Sequence, residues 1–231
     1  MSKFIVLVSP RSGSFLACQL LEQYLINKYP NYAKSPCYEL YTRAGSGLYS
    51  LTYSPANGLE IQKKKVGAHT SREKLELIKK CDSEGVNFVA KVSYKNIEAI
   101  NWYRENGYQI IATLRRDIES QITSYHLGQK SGIWHNYSKT GNNLNFGNSK
   151  FVPLDFYKGS SSMKLDEIAR SKCANSISTH TRRIEEIGPD CMVYLEDFQD
   201  DYDQFYLALG LTDFKQYVPN YDFIVSKKTG E

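Results

Sequence analysis

The stretch LVSPRSGSFLACQLLEQYL, residues 7 to 25, sets the tightest limit on what this chain can fold into. It begins inside FIVLV (Phe4 to Val8), a short continuous apolar run rich in β-branched residues, which is the pattern of a strand buried on both faces. From Ser14 onward Leu16, Leu20, Leu21, Tyr24 and Leu25 recur at helical spacing. Between them Pro10, Arg11, Ser12 and Gly13 leave room only for a tight turn. A buried strand feeding directly into an amphipathic helix predicts an α/β architecture with a parallel sheet.

The turn carries chemistry of its own. A helix start offers unpaired N–H groups and a partial positive charge, so an anion is its natural guest. Gly13 lets the backbone approach a ligand closely, Ser12 and Ser14 bring hydroxyl donors, and Arg11 can grip a phosphate or sulfate in a fork. It is not a Walker A loop, because the GxxxxGK pattern and its lysine are absent. A plain strand-to-helix turn with a surface arginine and a serine N-cap fits the same residues and stays open here.

The rest of the chain alternates in the same sense. SREKLELIKKC (Ser71 to Cys81) predicts a helix with Ser71 as N-cap, and VNFVAKV (Val86 to Val92) a second buried strand. Ile97, Ile100 and Tyr103 mark a helix closed by Asn106-Gly107, and YQIIATL (Tyr108 to Leu114) predicts a third strand. Arg115-Arg116-Asp117 follow, then a helix to about Gln129. Lys164 to Ile187 reads as helix, Met192 to Leu195 as strand and Tyr202 to Leu209 as helix. Residues 131–162, rich in Gly, Asn and Ser and studded with aromatics, are expected to be a mobile cover over an acceptor site. With 231 residues and no linker or repeat, the expectation is one three-layer α/β/α domain over 1–231 around a central parallel sheet.

Composition narrows the function classes. A formal charge of +4 is too mild for a surface that coats nucleic acid and suggests a local basic site. Five cysteines, odd in number and never in a CxxC pair, are expected to be reduced thiols in a cytoplasmic protein without a metal site. The apolar N-terminal run is too short for a signal peptide or a membrane anchor, so no membrane association is expected.

Ligands of a parallel sheet gather beyond the carboxyl ends of its strands. That rule selects the Arg11 turn, Lys91 to Tyr94, and Arg115-Arg116. Arg116 precedes Ser124 by eight positions (124 − 116), with Arg116 before the helix and Ser124 about two turns into it. One phosphate could lie between them.

In combination these segments resemble a known family. SPRSGSF is similar to the 5′-phosphosulfate loop of the sulfotransferases that use 3′-phosphoadenosine 5′-phosphosulfate, a loop of the form PKSGTTW or PRSGTTL. LRRDIESQITSYH resembles their 3′-phosphate motif, with Arg116, Ser124 and Tyr125 in register, and VYLEDFQDD resembles their YYEDMxxD stretch. The similarities run in order from residue 4 to about 210. The resemblance implies the P-loop NTPase-like sulfotransferase fold, with Arg11, Ser12, Gly13, Ser14 and Phe15 on the 5′ side of the nucleotide and Arg116 with Ser124 on the 3′-phosphate. It implies in-line transfer of a sulfuryl group, without metal, to a small-molecule, glycan or peptide acceptor, leaving adenosine 3′,5′-bisphosphate.

The base departs from the best-known branch. Aryl and steroid sulfotransferases carry KTH at the end of the second strand, where this chain has Lys91, Val92 and Ser93. Lys91 remains a candidate for a place near the sulfuryl group. YPNYAKSPCYELYTR resembles the HPDxxCGEETR segment of tyrosylprotein sulfotransferases, and bacterial trehalose-type enzymes also place a catalytic glutamate there, which makes Glu39 the candidate base. Glu22 is the fallback, since heparan-type enzymes use a glutamate inside the first helix, although their position falls on Gln19; His69 is a further alternative, and His126 is expected to be peripheral. Two other classes stay open. A small-molecule P-loop kinase would need the missing Walker lysine. A non-catalytic nucleotide-binding protein would keep the loops and lose the base.

Overall fold

The computed structural model describes residues 2–30, 49–54, 58–63, 71–86, 88–131 and 165–221. In chain order they form β1 (Phe4–Val8), α1 (Ser14–Lys28), β2 (Tyr49–Ser54), β3 (Gly58–Lys63), α2 (Ser71–Ser83), β4 (Val89–Val92) and α3 (Ile97–Glu105). There follow β5 (Gln109–Leu114), α4 (Ile118–Ser131), α5 (Glu167–Ile187), β6 (Cys191–Tyr194) and the short helices α6 (Leu195–Phe198), α7 (Asp203–Ala208) and α8 (Phe214–Tyr217).

Four strands make one all-parallel sheet in the order β4-β1-β5-β6. The strand reading of FIVLV holds because Phe4, Ile5, Val6 and Leu7 are all at most 1% exposed. Their side chains alternate between two cores. Phe4 and Val6 join Val89, Ile111 and Val193 under α1, α7 and α8, while Ile5 and Leu7 join Ala90, Val92, Ile110 and Ala112 under α2 and α3. Helices therefore cover both faces of the sheet, as a parallel sheet with apolar residues on both sides requires.

The strands at 86–92, 108–114 and 192–195 each start or end a residue or more away from the expected bounds, and α5 starts at Glu167 behind an Asp166 cap, whose carboxylate accepts from Ala169 N–H at 2.7 Å. Ser71 is the first residue of α2 and not its cap. The antiparallel hairpin β2–β3 was not expected.

Neighbouring strands β1 and β5 send the chain to opposite faces and opposite edges of the sheet, β1 into α1 and on to β4, β5 through α5, whose Ile184 lies in the other core, to β6. That junction is the topological switch point of the sheet, where open α/β folds bind ligands. The Arg11 turn lies there, and Lys91 lies one strand away on β4.

Candidate functional site

The turn after β1 is fastened from two sides. Ser12 is fully buried, and its hydroxyl donates to the Ser9 carbonyl at 2.9 Å and meets the Thr113 hydroxyl of β5 at 2.9 Å. From α4, the buried Gln121 amide donates to the Pro10 carbonyl at 2.5 Å and approaches the Ser9 hydroxyl at 3.4 Å. Ser12 was expected to offer its hydroxyl to an anion. That hydroxyl is turned inward instead, so only the Ser12 main chain can serve a ligand.

Two left-handed residues set the path of the turn. Arg11 has φ 58° and is the one non-glycine residue with positive φ among the described residues, and Gly13 has φ 81°. A β-carbon on Gly13 would stand 2.6 Å from Leu195 Cδ1 at the head of α6, so the turn is packed against that helix as well as twisted. Backbone held this way at a helix start is a form of strain found at functional sites. Helix α1 begins at Ser14 without a side-chain cap, with Gly13 at the N-cap position.

Arg11 reaches over to the helix that follows the neighbouring strand. Its Nε donates to the Ser124 hydroxyl on α4 at 2.6 Å, joining positions 113 residues apart. The two segments singled out as anion loops thus converge, although the arginine beside Ser124 is Arg11 and not Arg116.

Arg116 faces the other way. Its guanidinium forms a fork with Asp197, Nη1 to Oδ1 and Nη2 to Oδ2, and lies over the Tyr194 ring with Cζ 4.2 Å from the centroid. The adjacent Glu196 carboxylate accepts the main-chain N–H groups of Arg116 and Asp117, both at 3.1 Å, and stands 3.5 Å from Arg115 Nε. Burial works to raise the Glu196 pKa, but the N–H donors and Arg115 outweigh it and hold the carboxyl below its ordinary value. The Arg116 bond does the same for Asp197. The VYLEDFQDD stretch therefore supplies two carboxylates to the head of α4, at a place that an anion would also favour.

Lys91 is 2% exposed, pairs in register with Val6, and holds its ammonium 5.5 Å from the centroid of Phe15 in the first turn of α1. A lysine so enclosed near the end of β4, one strand from the Arg11 turn, brings a compact positive charge close to the switch point. Glu22 lies half-buried on α1, and Gln19 on the same helix has a buried Oε1 with no hydrogen-bond partner among the described residues. His126 is half-buried on α4. Glu39, His69 and residues 132–162 of the expected cover lie outside the described residues. Among the described residues no group of three or more His, Cys, Asp or Glu side chains could hold a metal ion, and no helix is long and apolar enough to cross a membrane.

Residues that sequence reasoning missed are the fasteners Thr113 and Gln121 and the carboxylate holders Glu196 and Asp197. The last two lay inside a flagged segment. Their partners could not be read from it. No family model matches this chain, and no curated protein does.

Proposed function

We propose that this chain is a sulfotransferase of the P-loop-like fold that uses 3′-phosphoadenosine 5′-phosphosulfate and works in the cytoplasm. The observation that carries the proposal is the Arg11 Nε to Ser124 Oγ bond, which draws the turn after β1 and the helix after β5 to one place beyond the carboxyl ends of the strands. Two loops read separately as holding the two ends of one nucleotide are thereby within one ligand's reach.

The donor set suits such a ligand. The start of α1 offers N–H groups, Arg11 and Arg116 offer two guanidinium forks, and Ser124 offers a hydroxyl. On this reading Arg11, the main chain of Ser12 to Ser14 and Phe15 hold the 5′ side, and Arg116 with Ser124 holds the 3′-phosphate after Arg116 exchanges Asp197 for it. The nucleotide supplies an activated sulfuryl group when bound. The chain's own residues fix its orientation, and Lys91 and Arg11 place positive charge where negative charge develops during transfer. A hydroxyl or amine acceptor must also lose a proton to a base, and the residue that the family resemblance puts forward for this is Glu39.

A second reading has one observation in its favour: the chain has Ser93 where the aryl and steroid branch has its catalytic histidine, so it could bind the nucleotide without turning it over. Incubating the full chain with sulfur-labelled donor and a panel of phenol, sugar and tyrosine-peptide acceptors separates the two. The enzyme reading expects label on at least one acceptor class. Tight bisphosphate binding with no transfer to any class contradicts it.

A further inference from the structure

We infer that His180 on α5 is the residue that takes the acceptor's proton, an assignment that rests on the sulfuryl-transfer reading above. The ring is oriented by a single hydrogen bond. His180 Nδ1 lies 2.7 Å from the Ser176 carbonyl oxygen one turn earlier, and a carbonyl can only accept, so Nδ1 carries the hydrogen. The neutral imidazole then keeps its lone pair on Nε2, and no further hydrogen bond to the ring exists among the described residues. A histidine fixed in this tautomer is ready to accept a proton.

Its place is as informative as its tautomer. The imidazole packs edge to face against Tyr94, with centroids 5.0 Å apart and planes at 89°. Tyr94 adjoins Ser93, the position that lacks the histidine, and stands three residues beyond Lys91, within roughly 10 Å along an extended chain. On its other flank, the Ser176 hydroxyl lies 3.4 Å from that of Tyr125, the neighbour of Ser124, which binds Arg11. The turn from Ser176 to His180 thus bridges the anion helix α4 and the end of β4. Packing holds it there, because Ile177 and Ile184 on the same helix are 1% and 0% exposed while His180 stays half-exposed. An imidazole absent from β4 in the sequence is delivered to that strand's end by another element.

In the transfer step the acceptor's O–H bond breaks and its proton passes to His180 Nε2. The acceptor oxygen forms the new bond to sulfur while the bond from sulfur to the phosphate oxygen breaks. That electron pair leaves on adenosine 3′,5′-bisphosphate, and the imidazolium later returns its proton to water. The titratable group packed against the ring is Tyr94, with Lys95 over the Tyr94 face; Tyr125 on α4 meets Ser176 one turn earlier on α5, and Arg183, three residues after His180, is bonded to Glu186.

The test compares His180→Ala, His180→Gln and Glu39→Gln in the full chain, with turnover measured on whichever acceptor the wild type labels and bisphosphate affinity measured by calorimetry. Both His180 variants are expected to lose about 10²–10⁴ in turnover, with affinity held within about twofold, and added imidazole to restore part of the loss in His180→Ala. Turnover of the His180 variants within about fivefold of wild type, or the large loss appearing in Glu39→Gln alone, overturns the assignment. A measurement independent of activity accompanies it. Nitrogen-edited NMR at mildly alkaline pH should show the His180 ring protonated on Nδ1 with Nε2 bare, and an Nε2–H tautomer contradicts the geometry. If the wild type neither binds the bisphosphate nor labels an acceptor, the sulfotransferase reading is what fails, and the assignment of His180 falls with it.

Discussion

Arg11, in the turn after β1, donates its Nε hydrogen to the hydroxyl of Ser124 on α4 at 2.6 Å, with its own backbone in the left-handed region. A non-glycine residue pays for that conformation, about 1–2 kcal/mol, only where the surroundings impose it. Here they do: Ser12 is tied to Thr113, and Gln121 holds Pro10. The guanidinium is thereby set at the switch point before any ligand arrives.

If this preset arginine binds the nucleotide, Arg11→Ala should weaken adenosine 3′,5′-bisphosphate binding by roughly 1.5–3 kcal/mol, the range for a lost charge-assisted bond. Ser124→Ala should cost less. The double variant should fall short of the sum, because the two side chains act on each other. Calorimetric titration of the three variants checks this, and strict additivity would separate the residues into unrelated roles.

Asp197 is the resident partner of Arg116, and both side chains are about half exposed, at 51% and 53%. Ion pairs in solvent are weak, so a phosphate should displace the carboxylate. Asp197→Asn should therefore raise bisphosphate affinity several-fold, most at low salt where the competing pair is strongest. Arg116→Ala should erase most of the preference for the bisphosphate over AMP. Unchanged preference in Arg116→Ala removes that residue from the site.

Gly13 joins conformation to packing. Gly13→Ala would place a β-carbon at φ 81° and 2.6 Å from Leu195 Cδ1. A loss of about 1–3 kcal/mol in stability is expected from strain of this kind. Weaker bisphosphate binding should accompany it. Chemical denaturation and the same titration read both effects, and a variant of wild-type stability would mean that the turn adapts freely.

How much of this could be read from the residues alone depends on distance along the chain. FIVLV gave itself away because it has no polar position to disguise a strand buried on both sides, and YQIIATL because Ile110, Ile111 and Ala112 at its centre are apolar toward both faces. Hairpin β2–β3 was missed although Leu59 and Ile61 alternate with Glu60 and Gln62 after Asn57-Gly58, since so short a period-two run carries little signal beside Lys63, Lys64 and Lys65. The turn after β1 was legible locally. What holds it was not, because Thr113 and Gln121 meet it from 101 and 111 positions away, and the choice between Arg11 and Arg116 for Ser124 depends on carboxylates some 80 residues further on.

Acid should loosen the head of α4 first. The folded Glu196 pKa lies below the ordinary value, so its contribution to stability is present above the usual glutamate range near pH 4.3 and is lost as pH falls through the depressed folded value. Asp197 and Asp117 act in the same direction. Melting temperature should accordingly decline below about pH 4, and Glu196→Gln should flatten that decline. An identical acid profile in the variant would show that other carboxylates govern it.

The central claim is that the Arg11 turn and the Ser124 helix hold one nucleotide bearing a phosphate at each end of its ribose. Titration of the full chain with adenosine 3′,5′-bisphosphate, set beside ATP with magnesium under the same salt, tests it most directly. The account predicts one binding event per chain and a preference for the bisphosphate of at least about tenfold, or 1.4 kcal/mol. Equal or tighter binding of ATP, or no binding of the bisphosphate, would contradict it.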